Sequence, residues 1–320
     1  MGKTFQATSE MSVAPQEQVS VQDSTPVSTE LSVEDTMEFN QTSQTAQSAQ
    51  TPQVNQIINT GVPVVVFVGP PSSGKSMILV RLAKFLRNQG FTVKPDETFL
   101  NTPQYIEGCR EFRTKLNTNV ALDGTVKYLL VDVYDQNHRA VAKLLEAPGE
   151  DFYDPDPKTA AKNNNGLKPY LTTIMASKNP KSYVVLLDLD SEISFRNDSS
   201  HRAGYMQRFL DDFYPNINNK ADQIVLLYNK IDTTPWGTIH ACHDEKGARE
   251  DAKLYYQQLF NTMKVTKLGG LLTVDNFTFH TFCTGIFAKQ QDDMGNNYET
   301  YNVANDCYPD TLWKEITKKW

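Results

Sequence analysis

The 320-residue chain contains no apolar run long enough to cross a bilayer, and its first residues lack the basic start and apolar core of a signal peptide. Both absences argue against an integral membrane protein and lead to the expectation of a cytoplasmic one. Cysteine is scarce. Cys109, Cys242, Cys283 and Cys307 are widely spaced with no C-x-x-C pair, which reads as reduced thiols without a disulfide framework. His240, Cys242 and His243 lie close together but match no standard zinc spacing, and they read as a solvated polar loop. An excess of basic charge is also missing: the net charge of −7 argues against a general nucleic-acid binder. Gly2 suggests myristoylation, but Gln6 stands where that motif wants Ser or Thr. Aromatic residues are almost absent from residues 1–58, a stretch dominated by Gln, Ser, Thr, Val and Glu. Such a segment cannot bury enough surface to offset chain entropy, so a disordered tail is expected there. Residues 59–320 hold nearly all the Tyr, Phe and Trp and suit a single α/β domain with insertions.

What is present is most telling at Gly69-Pro-Pro-Ser72-Ser73-Gly74-Lys75-Ser76, directly after the apolar run Val62 to Val68. The run is β-rich throughout, as in a strand buried on both faces. Ile78, Leu79, Leu82, Phe85 and Leu86 then recur at helical spacing. A glycine-rich loop between a strand and a helix is a phosphate-binding loop. Its backbone N–H groups converge on phosphates, Lys75 reaches the β and γ phosphates, and the Ser76 hydroxyl ligates Mg²⁺. Gly2-Lys3-Thr4 repeats the last letters of this motif with no strand before it and carries no meaning.

Further along, residues from Phe91 to about Gly124 are polar, with Pro95, Pro103 and Gly108, and read as a partly irregular insertion. Thr125 to Tyr134 and Ala140 to Ala147 are strand-like and separated by a polar turn, so they should pair antiparallel. Helix-like spacing follows at Leu167 to Ser177, Ala203 to Phe213, Lys246 to Met263 and Asp310 to Trp320. Strand-like runs occupy Ser182 to Leu189, Gln223 to Tyr228 and Leu272 to Thr281. This alternation predicts a mostly parallel sheet with one antiparallel edge strand and helices on both faces, ligands sitting at the carboxyl ends of the strands.

Leu226 to Tyr228 lead into Asn229-Lys230-Ile231-Asp232, an N-K-x-D signature at the end of a buried strand. A carboxylate at Asp232 can accept from both the N1–H and the exocyclic amine of guanine, a pairing adenine does not offer. The Lys230 stem can lie along the base or ribose, and Asn229 can brace the phosphate loop.

With both motifs in this order, the chain resembles the Ras-like small GTPases and the broader translation-factor class of phosphate-loop GTPases, over roughly Val62 to Phe287. The resemblance implies binding of GTP and GDP with Mg²⁺, hydrolysis of GTP, a molecular-switch role, and a protein effector or activator. Glu146-Ala147-Pro148-Gly149 falls where the family carries D-x-x-G, so Gly149 would offer its N–H to the γ-phosphate and Glu146 would replace the metal-linked Asp. The family's switch threonine corresponds to Thr125, a second metal ligand, with Thr118 as the fallback. Thr281, Phe282 and Cys283, with Thr284, correspond to the base-contacting loop. Glu150 stands where the water-orienting Gln is found, which implies slow intrinsic turnover. Arg110 and Arg113 are candidate charges in cis, with ordinary surface arginines the simpler reading. The Pro148-to-Phe152 segment and the long first switch are more similar to the bacterial double-GTPase group. Two alternatives stay open: a nucleotide-binding scaffold with little hydrolysis, and an ATP-dependent enzyme in which N-K-x-D is fortuitous.

Overall fold

Val64–Val68 forms β1, and every one of its residues is buried, because a Val-rich run with no polar face is stable only with layers on both sides. The computed structural model describes residues 52–58, 60–121, 128–152, 167–187, 199–218, 221–234, 236 and 245–320. In chain order the elements before the sheet's second half are α1 (Asn55–Ile58), β1, α2 (Lys75–Asn88), β2 (Thr92–Pro95), α3 (Pro103–Lys115), β3 (Leu129–Tyr134), β4 (Ala140–Glu146), α4 (Gly149–Phe152) and α5 (Pro169–Ala176). They continue as β5 (Lys181–Leu187), α6 (Ser199–Arg208), β6 (Gln223–Tyr228), α7 (Glu245–Tyr255), α8 (Gln257–Thr262), β7 (Lys264–Lys267), β8 (Leu272–Asp275), β9 (Thr278–Thr281), β10 (Gly285–Gln291), β11 (Asn297–Val303) and α9 (Cys307–Ile316).

Seven strands form the main sheet in the order β2-β3-β4-β1-β5-β6-β9. β4, β1, β5, β6 and β9 are parallel, and β3 runs antiparallel between β4 and β2. The mostly parallel sheet with an antiparallel edge is therefore present, extended by one short outer strand. Helices cover both faces. In β5 the Ser182 hydroxyl donates to the Ile316 carbonyl of α9, while the ring of the next residue, Tyr183, meets Phe213 edge-on at 5.4 Å. Successive side chains of a strand point to opposite faces, so α9 and the Phe209–Phe213 segment lie on opposite sides of the sheet.

Several sequence expectations change. The 91–124 insertion holds β2 and α3; α3 is started by Thr102, whose side chain accepts from the Tyr105 N–H at 3.2 Å, followed by Pro103 at its first turn. The helix expected over Ala203 to Phe213 ends as a π-turn from Phe209 to Phe213. The one expected over Lys246 to Met263 is broken at Tyr256, whose φ of −116° and ψ of 32° are not helical. The expected strand Leu272 to Thr281 is two strands, because the Asn276 N–H turns aside to the Met263 carbonyl at 2.9 Å. The β10–β11 hairpin was not anticipated. Packed structure also starts before the composition break: Ile57 in α1 is fully buried, and the Gln53 N–H reaches the Phe99 carbonyl at 2.9 Å. The rest of the expected tail, residues 1–51, lies outside the described residues, as do Thr125 and the group His240, Cys242 and His243. Cys109 and Cys283 are buried free thiols but Cys307 is disulfide-bonded, so reduced cysteines throughout do not hold.

A half-buried polar node ties the insertion to the β10–β11 hairpin. Lys84 donates to the Thr118 carbonyl, to Asn119 Oδ1 at 3.1 Å and to the Tyr301 hydroxyl at 2.7 Å. The backbones join alongside it: the Ala121 N–H donates to Glu299 at 2.7 Å, and the Tyr301 N–H to Asn119 at 2.9 Å. Removing Lys84 leaves the part-buried Thr118 carbonyl and Tyr301 hydroxyl without their donor, so Lys84→Met should destabilise the protein by about 1–3 kcal/mol in urea unfolding. Amide exchange should quicken at Ala121 and Tyr301 while staying slow in β1 and β5; unchanged exchange at Ala121 would refute the node.

Candidate functional site

The glycine loop leaves the carboxyl end of β1 and returns into α2 through two left-handed residues, Ser72 at φ 60° and Gly74 at φ 88°. Gly74 is needed twice. Its backbone conformation disfavours side chains, and a Cβ there would stand 2.6 Å from Asn229 Nδ2. That close approach is productive, because Asn229 Nδ2 donates to the Ser73 carbonyl at 2.9 Å in a buried hydrogen bond. Lys230, itself left-handed at φ 57°, reaches the Ser72 carbonyl at 3.3 Å. The N-K-x-D loop thus grips the phosphate loop, as the sequence led us to expect.

Lys75 is buried at the first position of α2, with its ammonium on the carbonyls of Gly69 at 3.0 Å and Pro70 at 2.9 Å. The loop is thereby closed around its own lysine, and α2 aims its N-terminus at the enclosed space. The Ser76 hydroxyl donates to Glu146 Oε1 at the end of β4. Glu146 is fully buried and its second oxygen, Oε2, has no hydrogen-bond partner. Burial pushes this carboxyl up to about 7, opposed by the Lys75 charge and the Ser76 hydrogen bond. A hydroxyl and a carboxylate with a spare buried oxygen are hard oxygen donors, the kind Mg²⁺ takes alongside phosphate and water. The residues present fit that ion.

Gly149 lies against the same loop. A Cβ on it would come within 2.1 Å of Pro71 N and 2.5 Å of the Pro70 carbonyl carbon, so only glycine lets the start of α4 touch the phosphate-loop backbone. Glu150, the next residue, is exposed. Asp151, which sequence reading passed over, is buried and accepts from the hydroxyls of Tyr170 at 2.5 Å and Tyr128 at 3.1 Å. Burial raises the Asp151 carboxyl, and the two phenols offset part of that. This triad anchors α4 to α5 and to the entry of β3. An acid followed by Phe152, which packs on Phe213 at 5.8 Å, was the available sign that this segment turns inward.

The remaining candidates separate. The Phe282 N–H donates to Tyr228 at 2.8 Å and its carbonyl accepts from the Ile231 N–H at 3.2 Å, which splices the Thr281-to-Cys283 segment onto the N-K-x-D loop. The Asp232 carboxylate engages the buried Cys283 thiol, whose ionisation is suppressed first by burial and then by that carboxylate. The Phe282 ring turns away into the core, 6.2 Å from Tyr308. Thr118 is not at the site: its carbonyl is held by Lys84, about 13 Å along the axis of α2 from Lys75. Arg110 pairs with Glu107 at 2.8 Å and Arg113 with Glu97 at 2.5 Å, both on the surface of the insertion.

The sheet order and this loop constellation define a phosphate-loop α/β fold. No protein-family model and no curated protein sequence matches the chain. Among solved structures it is similar to a Plasmodium falciparum protein described as nucleolar GTP-binding protein 1, at 14% identity and a TM-score of 0.35, covering 80% of this chain and 87% of that one. So distant a likeness adds nothing to what the site's own residues say.

Glu146 yields a pH test on the protein without metal or nucleotide. Its folded-state proton affinity exceeds the unfolded one, so the native state holds the extra proton between roughly pH 4.5 and 7. The stabilisation is complete below that window and is lost as pH rises through about 7. Relative to Glu146→Gln, the unmodified protein should lose on the order of 3 kcal/mol across this window in urea unfolding with EDTA. Parallel pH profiles for the two proteins would contradict the assignment.

Proposed function

We propose that this protein binds guanine nucleotides with Mg²⁺ and hydrolyses GTP to GDP and phosphate as a cytoplasmic molecular switch read by an effector or activator protein. The observation that carries the proposal is the buried Asn229–Ser73 hydrogen bond, which fixes the base-reading loop against the phosphate loop. With the two loops at a set spacing, a nucleotide whose phosphates sit at Gly69 to Ser76 presents its base to Asp232.

In this reading the N–H groups of the loop and of the α2 N-terminus bind the phosphates. Lys75 exchanges the Gly69 and Pro70 carbonyls for β and γ oxygens, so ligand binding opens the closed loop. Ser76 and Glu146 hold Mg²⁺, which when bound neutralises charge on the phosphate oxygens. Gly149 sets its N–H beside the γ-phosphate position by its contact with Pro70 and Pro71. Lys75 and the loop N–H groups then stabilise the charge that develops as water attacks in line. Thr125 takes the switch-threonine role. Glu150 offers water a carboxylate where a neutral amide would orient it without repulsion, so turnover is slow. The same exposed Glu150 favours a second reading, a nucleotide-binding scaffold with little hydrolysis. Single-turnover hydrolysis separates the two: bound GTP left uncleaved beyond the protein-free rate selects the scaffold.

Base selection is tested with fluorescent GTP and ATP analogues in Mg²⁺, Lys75→Ala serving as the loss-of-binding control. Asp232→Asn should weaken GTP by about 10- to 100-fold, the value of a charge-assisted hydrogen bond, while strengthening xanthosine triphosphate, which presents an acceptor where guanine has its amine. An unchanged preference among nucleotides would sink the guanine assignment.

A further inference from the structure

The β7–β8 hairpin forms a two-stranded sheet of its own, outside the main sheet. Its register pairs Lys264 with Asp275, Val265 with Val274, Thr266 with Thr273 and Lys267 with Leu272. Directly opposed residues of an antiparallel pair share a face, and faces alternate along each strand. One face therefore carries Val265, Val274, Leu272 and Lys267, and the other Lys264, Thr266, Thr273 and Asp275. The apolar face runs on into the turn, where Leu268 is 73%, Leu271 88% and Leu272 47% exposed. Gly269 and Gly270 adopt φ of 66° and 105°, and a Cβ on either would meet nothing within 4 Å, so backbone shape holds the turn out in solvent. Three adjoining leucines left in water on a projecting turn mark an interaction surface.

The charge around this tip is predominantly positive. Lys264 and Lys267 are exposed on the hairpin, and Lys318 and Lys319 are exposed beyond α9. Burial disfavours the Lys319 ammonium most; the Asp222 carboxylate opposes that, and the nearby Lys267 charge adds to it. The neighbouring acids are matched: Asp275 is paired with Arg249, and Glu315 with Lys318 at 3.1 Å. Asp222, paired with Lys181 at 3.6 Å, also attracts Lys319, so Lys264 and Lys267 remain as surplus positive charge. The whole group lies at the end of the main sheet away from the Lys75 loop. β8 enters the amino end of β9, the Ile316 carbonyl is tied to Ser182 at the start of β5, and Lys319 donates to the Asp222 carbonyl just before β6 at 2.6 Å.

We infer that the β7–β8 hairpin docks this protein peripherally on an anionic lipid surface, with Leu268, Leu271 and Leu272 entering the interface and Lys264 and Lys267 facing the headgroups. The strands that carry the turn pair with each other, and the hydrated interfacial layer can supply partners to the turn's own backbone groups. A surplus of lysines beside the leucines adds electrostatic attraction, about fivefold in partitioning for each lysine near the surface. A fluid surface also needs no shaped groove to receive a turn that packs against nothing of its own. No helix among the described residues is long and apolar enough to cross a membrane, and three leucines on a turn give a shallow, reversible attachment. Docked this way, the Lys75 loop faces away from the lipid.

The test is co-sedimentation of the full chain with vesicles of phosphatidylcholine, with and without phosphatidylserine. Binding is expected to the serine-lipid vesicles and not to phosphatidylcholine alone, and to weaken with salt. Leu268→Ser combined with Leu271→Ser should reduce it at least tenfold, and Lys264→Ala combined with Lys267→Ala by about 10- to 30-fold. All four positions are exposed, so thermal unfolding of these variants should match the parent and show that loss of binding is not loss of fold. Failure to bind anionic vesicles, or binding that both double variants retain, overturns the inference. Vesicle binding absent together with leucine-dependent self-association on sedimentation would assign the tip to a protein contact instead.

Discussion

One side-chain amide couples two loops that belong to different strands. Asn229, at the end of β6, donates into the Ser73 carbonyl, and the glycine beside that carbonyl exists in a left-handed conformation with no Cβ to block the approach. β1 and β6 are not adjacent in the sheet, since β5 lies between them. The bond therefore spans a strand and makes the spacing between the two loops a property of the sheet itself. Buried neutral hydrogen bonds gain little in net stability, but a missing partner here would leave a carbonyl and an amide unsatisfied at the centre of the site. The geometry of the site is accordingly maintained by the same ladder that builds the core.

Around that bond, the loop is finished by contacts of other kinds. Lys75 neutralises carbonyl dipoles that would otherwise face one another, and Gly149 brings a third loop close enough to touch Pro70 and Pro71. Asp151 secures the far side of that third loop through two phenols. Between the buried Gly149 and Asp151, Glu150 is the one side chain of the turn from Glu146 to Phe152 that is presented to solvent.

The parts legible in the sequence are those where one residue type suffices to state the physics. β1, β5 and β6 are continuous apolar runs, and Asn229 to Asp232 and Gly69 to Ser76 carry their chemistry at fixed spacing. The insertion was less legible because its buried residues, Val93, Phe99, Tyr105, Cys109 and Phe112, are scattered among polar ones; Thr102 before Pro103 was the one helix-start signal on offer. The β10–β11 hairpin offers no alternation to detect, as Tyr301 is its one buried aromatic and β10 is exposed from Ile286 onward. Thr118 fitted by sequence distance alone, and distance along the chain says nothing of the turn that takes it to Lys84. The split between β8 and β9 turns on one amide, that of Asn276, which no pattern of side chains encodes.

Arg81 sits on α2, two turns from the phosphate loop, 2% exposed, with its guanidinium on the Ala304 carbonyl at 2.9 Å and Asp306 at 2.5 Å. Its partners are thus encoded more than two hundred residues later. During synthesis the helix that carries the loop is made early, yet its arginine has no acceptor until the chain has emerged past residue 306. The apolar face of α2 can close on β2 and β4 once residue 146 is made, but the polar seam between α2 and the end of the chain is the last part of this packing to be completed.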